Sequence, residues 1–111
     1  MSTYTAAAEF VRKVRRFAET QPEWADAIRY DTKPDERFDL TLVSWRVYGS
    51  SEEFLAVMAA AGLDSPEQEM PERRLVLPTV AQLAALKAVS GFTSQRFART
   101  AAEAANPLTE R

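Results

Sequence analysis

The sequence predicts an α+β protein: a strand–helix–helix–strand core whose two strands pair as a small antiparallel sheet, flanked by N-terminal and C-terminal helices. Three observations point there. Apolar residues recur at helical spacing in several windows, each opened by a capping side chain or closed by proline or glycine. Two short runs with strand-like alternation bracket the middle pair of helical windows. The chain has 111 residues, 46% of them hydrophobic, enough for one small core and not two.

Residues 2–19 read as the first helix. Ser2 or Thr3 can cap it. Phe10, Val14 and Phe17 recur on one side with Val11 and Ala18 beside them, while Arg12, Lys13, Arg15 and Arg16 fall largely on the other. That stripe is a packing face, for this chain's own core or for a partner. Gln21-Pro22 stops the helix, because proline cannot continue it and restricts the residue before it. Residues 24–27 carry no decisive pattern. Residues 27–32 alternate as a strand, with Ile28 and Tyr30 on one face and Arg29 and Asp31 on the other, and the acidic turn Lys33-Pro34-Asp35-Glu36 ends it.

Asp39 can cap a second helix over residues 40–48, and Gly49 supplies a left-handed exit. Leu40, Val43, Ser44 and Val47 make one face, and Trp45 and Tyr48 lie off its centre. Ser50 and Glu53 have the spacing of a capping box, which opens a third helix with Phe54, Leu55, Val57, Met58 and Ala61 on its buried side. Gly62 ends it, with Leu63 placed for the apolar contact of such exits. Residues 64–72 form an acidic, proline-bounded loop. Residues 73–77 read as the second strand, with Leu75 and Leu77 on one face and Pro78 closing it. Thr79 and Gln82 make another capping box, opening a helix that carries Val80, Leu83, Leu86 and Val89 and ends near Gly91. Residues 94–105 can form a last, alanine-rich helix, ended by Asn106-Pro107.

Composition excludes much chemistry. With Cys 0 there is no disulfide framework, zinc cluster or thiol nucleophile, and with His 0 the commonest general base and transition-metal ligand are missing. Neither a cofactor nor a metal is expected, and no enzyme. No apolar run approaches the roughly 20 residues of a membrane span. Residues 6–8 are followed at once by Glu9 and the basic Arg12, Lys13, Arg15 and Arg16, so no export signal is expected. The net charge of −2 hides a partition: residues 31–72 hold ten acidic against three basic side chains, residues 73–111 two against six. An acidic middle does not suit sequence-independent nucleic-acid binding, but it suits a subunit that meets neighbours through complementary patches. Glu52 and Glu53 are adjacent on a helix and do not face one another as an acid–base pair would. Asp64, Glu67 and Glu69 lack the spacing and central glycine of an EF-hand loop.

The run Arg37-Phe38-Asp39-Leu40-Thr41-Leu42-Val43-Ser44-Trp45-Arg46-Val47-Tyr48-Gly49, then a second helix, then Leu75-Val76-Leu77-Pro78, resembles a LysM domain. In that family an acidic cap precedes a leucine, a helix ends in tyrosine-glycine, and the last strand ends in an aliphatic-proline pair. The matching positions are Asp39, Leu40, Tyr48, Gly49, Leu77 and Pro78. The tryptophan-arginine-x-tyrosine-glycine form is similar to LysM-like proteins of phage tail baseplates. The resemblance covers residues 27–79, which leaves residues 1–22 as an N-terminal helical arm and residues 80–111 as a C-terminal helical extension.

What the resemblance implies is a structural subunit of a phage tail or related contractile injection machine. It would be assembled in the host cytoplasm, carried in the virion, and present in several symmetric copies. Its partners would be hub, wedge, tube or sheath subunits, with no nucleic acid and no membrane. Phe10, Arg12, Val14, Arg16, Phe17, Trp45, Arg46, Tyr48, Arg73, Arg74, Phe92 and Phe97 are the candidate interface residues. Tryptophan, tyrosine and arginine dominate binding hot spots. In carbohydrate-binding members the sugar groove lies between the loops corresponding to residues 33–38 and 62–70, but here these loops hold many carboxylates and Phe38 as the one aromatic platform. A glycan-binding module is therefore the second expectation. A helix-turn-helix over residues 80–105, with Gly91 at the turn and Arg96 and Arg99 for DNA contacts, is the third.

Overall fold

The computed structural model describes residues 3–94. It is α+β, with four α-helices and one two-stranded antiparallel sheet among these residues. Helix α1 spans Thr3–Thr20, strand β1 Ile28–Asp31, helix α2 Leu40–Tyr48, helix α3 Phe54–Ala60, strand β2 Arg74–Leu77 and helix α4 Val80–Ser90. Single 3-10 turns at Pro34–Glu36 and Ser51–Glu53 lead into α2 and α3. The expected last helix over residues 94–105 and the candidate Phe97 lie outside the described residues.

The strands pair with Ile28 opposite Leu77 and Tyr30 opposite Leu75, so the alternation read from the sequence sets the register. Thr32 extends the ladder: its N–H donates to the Arg73 carbonyl at 2.9 Å, and its hydroxyl accepts from the Arg73 N–H at 2.8 Å. A pair of four-residue strands is marginal alone. Here α3 and α1 cover it, and Phe10 and Val14 of α1 have no exposed surface. Phe10 stacks on Phe92, beyond the end of α4, with ring centroids 4.6 Å apart. Leu40, Val43, Leu55, Val57, Met58, Leu63, Met70, Leu75, Leu77 and Leu83 complete one buried cluster. Residues from 1–22, 27–79 and the described part of 80–111 therefore share a single core.

Helix ends follow local chemistry. The Asp39 side chain accepts from Leu42 N–H at 3.1 Å, and Gly49 leaves α2 with φ +78°. Thr79 and Gln82 form the expected capping box at the start of α4. The box expected at Ser50 and Glu53 does not form. The Ser50 hydroxyl accepts from Glu52 N–H, a 3-10 turn precedes α3, and Glu53 points across to α4 instead. Its carboxylate accepts from Lys87 Nζ at 2.6 Å and from the Ser94 hydroxyl at 2.7 Å, a stronger claim than one backbone amide.

Helix α4 also departs from its expected stripe. Leu83 is buried and Leu86 half-buried, but Val80 and Val89 face solvent. The inward line runs through Leu83, Leu86 and Ser90, and Val89 falls well off that line at 100° per residue.

Candidate interface

Helix α2 presents one face to the core and another to solvent. Leu40, Val43 and Ser44 are buried, whereas Thr41 and Trp45, four residues apart, lie on the exposed side, and Phe38, just before the Asp39 cap, is exposed as well. Phe38 is 63% exposed and Trp45 59%. Ser44 fixes the inner face. Its hydroxyl donates to the Ser50 carbonyl and accepts from Glu53 N–H, so the exit of α2 and the entry of α3 are held by one side chain.

Arg46, a candidate anchor, spends its guanidinium on partners within the chain. Its guanidinium forks over Asp35, with Nη1 and Nη2 donating to the two carboxylate oxygens at 2.9 and 2.8 Å. Nη1 also lies 2.8 Å from Glu36, whose side chain has no exposed surface. Glu36 accepts further bonds from the Tyr30 hydroxyl at 2.5 Å and the Lys33 N–H at 2.6 Å. Three donors thus meet the buried carboxylate, two on one oxygen and one on the other, in place of water. Hydrogen bonding to Asp35 and then Glu36 raises the guanidinium pKa further, and Arg46 in turn holds the Asp35 carboxyl below its usual range. The Tyr30 phenol is pushed up, first by burial and then by its bond to Glu36.

Tyr48 is half-buried, and its hydroxyl donates to the Pro78 carbonyl at 2.7 Å. Burial, and behind it the charge of Glu53, raises the phenol well above its ordinary value. That one bond joins the tyrosine-glycine end of α2 to the leucine-proline end of β2.

The loop after β1 and the loop before β2 meet. Met70 N–H donates to the Arg37 carbonyl at 2.8 Å, and Arg37 Nε lies 2.8 Å from Glu69. Between them lies a cleft of about 240 Å³ lined by Pro34, Arg37, Pro71 and Glu72.

The remaining candidates divide. Phe10, Val14 and Phe92, expected at an interface, are buried within the chain's own core, where they pack with the residues of α3 and β2. Phe17 is half-buried. Arg12 and Arg16 are exposed on α1, with Arg12 and Lys13 paired to Glu9. Arg15, expected on the outer face, instead reaches the end of α3, donating to Leu63 O at 2.6 Å and Ala59 O at 3.3 Å. Arg73 does the same, donating to Ala61 O at 2.9 Å. Two guanidinium groups thus donate to carbonyls at and just beyond the C-terminal end of α3, where cations are favoured. Arg74 reaches Asp31 across the strand pair at 3.4 Å.

Sequence reasoning placed Glu36 in an acidic turn and missed its burial. The available signal was Arg46, a lone cation in an otherwise apolar helix that follows an acidic turn. It also passed over Trp24, in the segment that carried no pattern.

Among the described residues no cluster of acidic side chains is arranged to hold a metal ion, and no helix is long and apolar enough to cross a membrane. Comparison with protein-family models, with curated proteins and with solved structures finds no match.

Proposed function

We propose that this chain is a structural component of a phage tail baseplate or a related contractile injection machine. In this reading a LysM-like βααβ core acts as an adaptor that clips hub and wedge subunits together, performing no reaction. The observation that carries it is the Tyr48–Pro78 hydrogen bond of 2.7 Å. It links the two motif ends on which the LysM resemblance rests, around an antiparallel strand pair with two helices between the strands. The adaptor role is supported by two aromatic side chains in solvent, Trp45 on the outer face of α2 and Phe38 just before the helix's Asp39 cap. Modest contacts of this kind become firm when several copies engage at once.

The test is to express the tagged chain in its source cell and isolate assembled tails, with a photo-crosslinking residue at position 45. The chain should co-purify with tails at fixed stoichiometry and crosslink to a tail protein. Tails that lack the chain sink the proposal.

A second reading, a glycan-binding module, is supported by one observation: a cleft lined by Pro34, Arg37, Pro71 and Glu72 opens beside residues 33–38, one of the two loops that the resemblance would assign to sugar. Retention on insoluble peptidoglycan or chitin that soluble oligosaccharide competes away would support it over the first.

A further inference from the structure

Trp24 lies in the loop between α1 and β1 and is 87% exposed, more than any other large apolar side chain among the described residues. The loop is fastened from both sides. Ala25 N–H donates to the Pro22 carbonyl at 3.0 Å, closing a turn around the tryptophan. From β1, Arg29 donates to Pro22 O at 2.8 Å and to Ala25 O at 3.1 Å. From α4, Gln82 Nε2 donates to Asp26 O at 2.9 Å. The carbonyls on either side of Trp24 are therefore held by two different elements while the indole itself contributes almost no burial to the fold.

A rigidly presented tryptophan is the side chain best suited to anchor an interface, because it brings large area with little rotamer freedom to lose. The charge around it selects the partner. Glu23 and Asp26 flank it, both exposed, and among the described residues neither is ion-paired to a basic side chain. The nearby cation, Arg29, is turned onto backbone carbonyls.

We propose that Trp24 is the anchor of a second interaction surface, separate from the α2 face, and that its partner is a protein with an apolar pocket rimmed by lysine or arginine. Carboxylates beside the anchor attract such a rim and repel an anionic lipid surface. A second copy docking through the same loop would bring its own Glu23 and Asp26 against these, which an isologous contact makes unfavourable.

The chain has two tryptophans, so in a Trp45→Phe background Trp24 is the sole indole reporter. The probe is a displayed library of random peptides, selected on that chain and counter-selected on the same chain carrying Trp24→Ser. The selected peptides should combine an aromatic or aliphatic residue with lysine or arginine and shift Trp24 emission to the blue. Their binding should weaken about tenfold or more with Trp24→Ser. Glu23→Gln with Asp26→Asn should weaken it several-fold and remove its dependence on salt. Circular dichroism should be unchanged in every variant, since none of these side chains is buried.

The proposal is overturned if no Trp24-dependent peptide is enriched, or if the enriched peptides lack basic residues. It is equally overturned if the blue shift arises from raising the chain's own concentration, which would make the partner a second copy. A shift on adding phosphatidylcholine vesicles alone would assign the surface to lipid and reject it too.

Discussion

The guanidinium of Arg46, on the solvent edge of α2, lies 2.8 Å from the carboxylate of Glu36, which has no exposed surface. A charge withdrawn from water persists only where its partners replace the lost hydration. Tyr30, Lys33 and Arg46 together do so, and they fasten the β1–α2 loop to the start of the sheet and to the helix.

Glu36→Gln keeps the shape but removes the charge and gives one oxygen a nitrogen in its place. At least one of its three donors is then misplaced, which costs about 1–3 kcal/mol. The midpoint of urea unfolding should fall with little change in slope. An unchanged midpoint would mean that the buried carboxylate adds nothing to the fold.

Phe10→Ala tests whether α1 belongs to the core. A buried phenylalanine stacked on Phe92 at 4.6 Å leaves a cavity when truncated, and the loss is about 3–5 kcal/mol. Trp45→Ser, on the exposed side of α2, should shift the same urea midpoint hardly at all.

Gly49 leaves α2 at φ +78°, where an added Cβ meets nothing within 4 Å. Gly49→Ala therefore reports backbone strain alone, about 1–2 kcal/mol for a left-handed residue with a side chain. Gly49→Asn should cost less, because asparagine tolerates that region. Both are read from thermal or urea unfolding.

Stability should fall on both sides of neutrality. Asp35 titrates below its unfolded value because of Arg46, so its contribution is present above the ordinary carboxylate pKa and is lost as pH falls through the native one. Tyr30 and Tyr48 titrate above theirs, so their contribution is complete below the ordinary phenol pKa of about 10 and is lost as pH rises through the native values. Unfolding at a series of pH values should show both limbs. The phenolate absorbance of Tyr30 and Tyr48 should rise later in the native protein than in urea.

Much of the local architecture was legible from the residues. The limits of α2, its Asp39 cap and Gly49 exit, the Thr79–Gln82 box, the Gly62 exit with buried Leu63 and the face assignments of Leu75 and Leu77 each depend on near neighbours in the chain. Helix caps and strand alternation have ranges of a few residues, so they can be read directly. The single α+β core follows from that list plus length.

What the tertiary structure alone decided are the pairings between residues far apart. Ser50 and Glu53 have every local feature of a capping box, yet Lys87 and Ser94, more than thirty positions away, take the carboxylate. Arg15 and Arg73 look like solvent-facing charge until α3 ends beside them with carbonyls to satisfy. Trp24 stands in solvent because Arg29 and Gln82 hold its loop from two elements, and no local pattern records that. Caps and alternation are properties of one segment; which donor meets which acceptor across the molecule is set only when the segments pack.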